Sequence, residues 1–239
     1  MVEARLNRVV SEKIRPALRS ARSPLQVEAW EVPGEPVPVT EALAADYTPF
    51  AIGSMWGRPW GTTWFRMSGT VPAEWAGRRV EAVLNLGFSN SPGFQSEGLL
   101  WVAGEAGGDW RPWRGLHPFN HDVAVADPAV GGESVSYLVE AASNPNLTAH
   151  RPDPSSDVLT AGPGLLYPLS RAELAVVEVE VYELREDIRC LRELMAQLHD
   201  DDPRRHEILR ALEHMLDALV LDDVAASAGI ARAELTGVL

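Results

Sequence analysis

Trp56-Gly57-Arg58-Pro59-Trp60-Gly61-Thr62-Thr63-Trp64-Phe65-Arg66 concentrates three indoles and two guanidinium groups in eleven positions. An indole presents a flat apolar face that can stack on the C–H side of a pyranose ring, while charged and amide groups bond the ring hydroxyls. Arg58, Trp60, Trp64 and Arg66 therefore qualify as a saccharide-contact set. The same residues admit a structural reading, with the tryptophans wedged into a core and the arginines in surface ion pairs.

A second cluster, Trp101, Trp110, Arg111, Trp113 and Arg114, is framed by Gly104, Gly107 and Gly108. Glycines there suit a tight hairpin turn, with or without a ligand on its rings. Asn85, Phe88, Asn90, Phe94, Gln95 and Glu97 form a polar stretch beside a strand. Of these, Asn90, Gln95 and Glu97 join Arg58 and Arg66 as candidates for reaching a sugar or a neighbouring protein surface.

Signals for chemistry by this chain alone are poor. His117 and His121 are separated by Pro118 in a loop-like stretch, and His199 with Asp201 marks a helix end, so neither pair reads as a metal site. No two carboxylates are placed to flank a glycosidic bond, and there is no Gly-x-Ser-x-Gly elbow, phosphate loop or His-Glu-x-x-His motif. The reading is of no catalytic residue, no metal and no cofactor in this chain.

The elements that must position these residues are mostly strands. Thr62 to Met67, Arg79 to Leu86, Gly98 to Val102, Ser134 to Glu140 and Leu174 to Val181 are rich in β-formers and separated by Gly, Pro, Asn and Asp. No stretch of helical period lies between them, which favours antiparallel packing of two sheets over β-α-β crossovers. The expected fold is mainly β: an antiparallel β-sandwich of jelly-roll or galactose-binding-like form, with a C-terminal α-helical hairpin.

Ahead of the strands, Leu6, Val9, Val10, Ile14 and Leu18 follow a helical spacing among basic residues, interrupted by Pro16. Such a helix can touch a membrane or acidic partner, and packing on its own acidic protein is the favoured reading. Ala29 to Pro49 reads as extended surface chain. After Val181 the period changes: Leu184, Ile188, Leu191, Met195 and Leu198 line one helix, Ile208, Leu212, Met215 and Leu219 a second, with Asp202-Pro203 opening the latter. A weaker pattern runs from Val224 to Leu235, with Gly229 a potential break. The expected divisions are residues 1–55 as helix and linker, 56–182 as sandwich and 183–239 as a helical connector. The apolar stripes of the connector call for a further surface, from a partner or from more chain.

The net charge of −13 argues against nucleic acid or an anionic membrane as partner. Sixteen acidic and eight basic residues fall in 171–239, as expected of a solvated helix face. One cysteine, Cys190, rules out an intrachain disulfide, and no apolar run reads as a signal peptide or membrane span. A cytoplasmic location is the expectation.

Five ordered blocks carry a resemblance: Pro59-Trp60-Gly61-Thr62-Thr63-Trp64-Phe65; Gly69-Thr70-Val71-Pro72 with Trp75, Gly77 and Arg78; Leu86-Gly87-Phe88; Pro92-Gly93-Phe94-Gln95-Ser96-Glu97-Gly98; and Val139-Glu140-Ala141-Ala142-Ser143-Asn144-Pro145. Together they resemble the amino-terminal region of bacterial and fungal-vacuolar-type α-mannosidases of glycoside hydrolase family 38. The resemblance implies a non-catalytic β-sandwich accessory domain that stabilises, orients or oligomerises a retaining, zinc-dependent mannoside hydrolase. It places zinc and the nucleophilic Asp in a catalytic domain outside these residues, in cis or on a separate chain. The alternatives are an independent carbohydrate-binding module for mannose-containing glycans, or an assembly domain forming a homo-oligomer.

Overall fold

The β-formers do pair as antiparallel ladders, and the interruptions between them become turns. In the computed structural model, which describes residues 2–89, 95–104, 108–145 and 164–239, the chain forms two compact units, Arg22–Ala175 and Met1–Ala21 together with Val176–Leu239. Twelve strands are described: β1 (Arg19–Pro24), β2 (Gln26–Glu31), β3 (Thr48–Pro49), β4 (Met55–Trp56), β5 (Thr62–Thr70), β6 (Arg79–Asn85), β7 (Ser96–Ala103), β8 (Trp110–Leu116), β9 (Asp122–Ala126), β10 (Ser134–Ser143), β11 (Tyr167–Pro168) and β12 (Arg171–Val177). They assemble as a six-stranded sheet of order β3-β2-β5-β10-β7-β8, a four-stranded sheet β1-β12-β6-β9 and a small pair β11-β4. Every neighbouring pair in the six-stranded sheet is antiparallel.

Alternation on β5 and β10 sends Phe65, Met67, Val139 and Ala141 to the inner side, where all four are fully buried. Val80, Ala82, Leu84 and Leu174 fill the core from the other sheet. Contact is close enough that a Cβ on Gly98 would come within 2.7 Å of Leu86. An aromatic chain runs through this interior: Phe65 meets Phe50 and Trp56 edge-on at 5.5 and 5.4 Å, and Trp56 continues to Tyr167 at 5.9 Å. The Trp56 indole keeps a partner in the core, donating to Leu86 O at 3.1 Å.

The outer side of the six-stranded sheet is also covered. A short helix, α2 (Val39–Ala44), with Val32, Val37 and Tyr47, packs over Trp30, Trp64, Trp101, Trp110 and Leu138. This corrects the expectation of a surface linker over Ala29 to Pro49. Prolines do break any period there, but the apolar residues between them close the sheet face, and β2 pairs with β5 along its whole length.

The last expected strand also ends early. β12 stops at Val177 and a helix, α3 (Val179–Met195), begins two residues later, because Val177, Val181, Leu184 and Ile188 fit a helical stripe as well as a strand face. β8 escaped the sequence reading because Pro112, Gly115 and two arginines hide its alternation, and β9 because it is only five residues long.

In the helical unit α3 packs with α4 (Pro203–Ala218), α5 (Val224–Ala233) and an N-terminal helix, α1 (Val2–Val9), around Leu6, Ile14, Leu184, Ile208, Met215 and Leu235. The stripes expected to seek a further surface thus bury one another and α1. Past α1 the helix widens into a π turn over Val10–Ile14, with Arg15 N–H on Val10 O, and so reaches Pro16 without an ordinary α-helical bond to satisfy. Basic and acidic residues meet here as expected: Arg5–Asp217 at 2.7 Å and Lys13–Asp222 at 3.5 Å. These pairs are exposed and contribute about 0–1 kcal/mol each.

Asp202 caps α4, accepting from Arg204 N–H at 2.8 Å with Pro203 at the first helical position. Asp202→Ala should lower unfolding free energy by about 1 kcal/mol in urea denaturation. Gly229 does not break α5; a Cβ there would lie 3.3 Å from the exposed Glu180 carboxylate, whose flexible end can move aside. Gly229→Ala should therefore stabilise the protein, by up to about 1 kcal/mol in the same assay.

Candidate functional site

The aromatic segment divides at the start of β5. Upstream of the strand, Arg58-Pro59-Trp60-Gly61 is a turn closed by Gly61 N–H donating to Arg58 O at 2.9 Å. Proline at the second position and a positive φ at the third are the marks of a type II turn, which normally places glycine third. Here the third residue is Trp60, at φ +63°, the only non-glycine residue with positive φ among the described residues. A side chain in that conformation costs about 1–2 kcal/mol.

Ser143, at the buried end of β10, holds the turn in place. Its backbone carbonyl accepts from Trp60 N–H at 3.0 Å, its N–H donates to Gly61 O at 3.0 Å, and its hydroxyl contacts Gly61 O at 2.9 Å and Arg58 O. Gly57 lies so close to the Ser143 side chain that a Cβ would collide with it, and its φ of +78° is itself a glycine conformation. The Arg58 side chain pairs with Glu31 at 2.7 Å, both exposed.

Within β5 the segment turns structural. Trp64 is fully buried under α2, 6.0 Å from the Trp101 ring, and its indole N–H has no hydrogen-bond partner among the described residues. Arg66 donates to Leu43 O at 2.6 Å and stacks its guanidinium 3.9 Å from the Tyr47 ring centroid. Burial pushes the Tyr47 phenol up to about 12, with Arg66 opposing the shift. Arg66 also borders a shallow groove of about 390 Å³ on the outer sheet face, lined by Gln26, Val27, Glu28, Pro49 and Ser68.

The other candidates are dispersed. Gln95 is buried and its side-chain carbonyl accepts from Ser89 N–H at 2.7 Å, so it closes a loop. Glu97 is exposed on β7 opposite Ala142 of β10, and Asn90, like Phe94, lies outside the described residues. In the second aromatic cluster Trp101 and Trp110 pack on the outer sheet face, while Trp113 stays half exposed on β8, the edge strand. His117 and His121 face Phe119 and Phe88 respectively, and His199 contacts Asp201 in open solvent. Among the described residues no three His, Cys, Asp or Glu side chains are placed to hold a metal ion, and no helix is long and apolar enough to cross a membrane.

Sequence reasoning did not single out Glu31 or Ser143 as functional. Ser143 stood in a quoted block, but its strap on the turn depends on a pairing more than eighty residues apart. Glu140, in the same block, sits beside Trp64 on the outer face. Burial raises its carboxyl above the ordinary value of 4.5, and the Trp101 indole opposes the shift without reaching hydrogen-bond geometry. The folded state then holds a proton that the unfolded state releases, so stability falls as pH rises through 4.5 and up to the raised value. Glu140→Gln should abolish that loss. Its stability relative to wild type should grow between acid and neutral pH, as followed by urea unfolding at each pH.

Residues 23–175 match the family model described as alpha-mannosidase, jelly roll domain. α-Mannosidase 2C1 of Homo sapiens is 30% identical over 208 residues, which is 85% of this chain and 18% of that protein. The Mus musculus α-mannosidase 2C1 is 27% identical over 191 residues, 77% of this chain and 16% of its own length. α-Mannosidase G of Dictyostelium discoideum is 21% identical over 194 residues, 79% and 16% of the respective chains. This chain therefore spans less than a fifth of the length of these relatives. Among solved structures, a β-glucuronidase of Faecalibacterium prausnitzii aligns over 66% of this chain and 31% of its own at 13% identity and a TM-score of 0.32, too loose a likeness to bear on function.

Proposed function

This chain belongs to the α-mannosidase jelly-roll domain family, and from that premise we propose that it is a non-catalytic N-terminal accessory domain of a glycoside hydrolase family 38 enzyme. The observation that carries the reading is a coincidence of boundaries. The family match, 23–175, falls on the compact sheet unit Arg22–Ala175, so what the family model matches is a folded module rather than scattered motifs.

On this reading the module stabilises, orients or oligomerises a catalytic domain that acts on terminal α-D-mannosides in the cytoplasm. That domain, in cis or as a separate chain, supplies zinc and the nucleophilic carboxylate. The part left to this chain is to present surface: the ion-paired turn at Arg58 and Trp60, and the exposed side chains of the β8 edge. No proton or metal step is assigned to it.

The test is reconstitution. The purified chain, supplied with zinc, should leave an activated aryl α-mannoside intact; a separately expressed catalytic domain of a related α-mannosidase should co-elute with it and gain thermal stability. Turnover of the mannoside by this chain alone, or failure to associate with any such catalytic domain, would overturn the proposal.

A further inference from the structure

Trp60 occupies a position where backbone chemistry calls for glycine, and its side chain is left about half in solvent. The side chain is 47% exposed, so the buried half of the ring does no more than balance the strain, and the other half faces solvent. Among the described residues its ring stacks on no other aromatic ring or cation. Yet the turn beneath it is fastened at four points to Ser143, and Gly57 is shaped to let that strand end come close. A strained residue held by an over-determined scaffold is the pattern of a side chain positioned for recognition.

The chemistry around it narrows the ligand. Arg58, two residues before Trp60, offers guanidinium donors; Glu31, paired with it at 2.7 Å, offers carboxylate acceptors. The pair has no net charge, and the whole chain carries −13, so an anionic ligand such as a phosphate finds no attraction here. An exposed indole carried on the same turn as a neutral donor-and-acceptor pair suits a ligand with an apolar face and a ring of hydroxyls. We propose that the Arg58–Gly61 turn is a saccharide-stacking platform: the Trp60 indole takes the C–H face of a neutral hexose, and Arg58 with Glu31 takes its hydroxyls.

This goes beyond the accessory-domain reading and can fail without it, since it concerns glycan binding by the chain alone. Titration calorimetry and saturation-transfer NMR with neutral manno-, gluco- and galacto-oligosaccharides should show saturable binding of at least one series. Trp60→Gly is the decisive variant. It should weaken that binding at least tenfold while leaving Tm within about 4 °C of wild type, because relief of the strained turn and loss of the half-buried ring act in opposite directions. Arg58→Ala should weaken binding with little change in Tm.

A wild-type chain that binds none of the three series would overturn the proposal. So would a Trp60→Gly chain that melts more than about 4 °C below wild type, since the ring would then be a structural prop. Loss of binding in Ser68→Tyr, which fills the outer-sheet groove, with binding retained in Trp60→Gly would move the site elsewhere and overturn it too. The same holds if Trp60→Gly keeps glycan binding but loses association with a catalytic domain, which would make the ring a protein contact.

Discussion

Burial of both faces of β5 is the constraint on which the sheet unit turns. Thr62, Thr63, Trp64, Phe65 and Met67 are all buried, so the strand cannot present one side to water as an ordinary half-buried strand does. Phe65 and Met67 are served by the opposing sheet. Trp64 needs a separate cover, which α2, Val32 and Val37 provide. Fully burying side chains of this size contributes roughly 1.5–3 kcal/mol each, enough to hold a proline-broken segment against the sheet. The cover in turn fixes Arg66, whose bond to Leu43 O ties the strand to the helix above it.

The same strand defines where structure ends and presentation begins. Its first residues are pinned by β10 through the Thr62–Ala142 and Thr63–Ala141 pairs, and the turn ahead of it is pinned by Ser143 one residue further on. The ladder therefore continues into the turn as side-chain and backbone bonds to a single serine. Trp60 and Trp64, four residues apart and alike in type, end in opposite circumstances, one half in solvent and one sealed under a helix.

Much of this was legible in the residues. The stripes Leu184 to Met195 and Ile208 to Leu219 and the Asp202-Pro203 start stand in the structure as read. The cover over Trp64 was not legible, because its apolar residues are spread across turns and follow no period. Nor was the partnership of α1 with the C-terminal helices, which joins segments at the two ends of the sequence. At the site, residue type alone could not separate Trp60 from Trp64. Exposure is decided by which side of a strand start a residue falls on, and the positive φ at Trp60 is set by a serine far along the chain.

The helical unit draws its core from two segments far apart in the sequence, and this orders events during synthesis. Leu6, Val9, Val10 and Ile14 are synthesised before the residues that bury them, which begin at Val181, about 170 residues later. At about 5–20 residues per second that is a wait of roughly ten to thirty seconds with an apolar stripe unpartnered. Arg5, Arg8, Lys13 and Arg15 are interleaved with that stripe, and their like charge opposes association of one unpartnered segment with another.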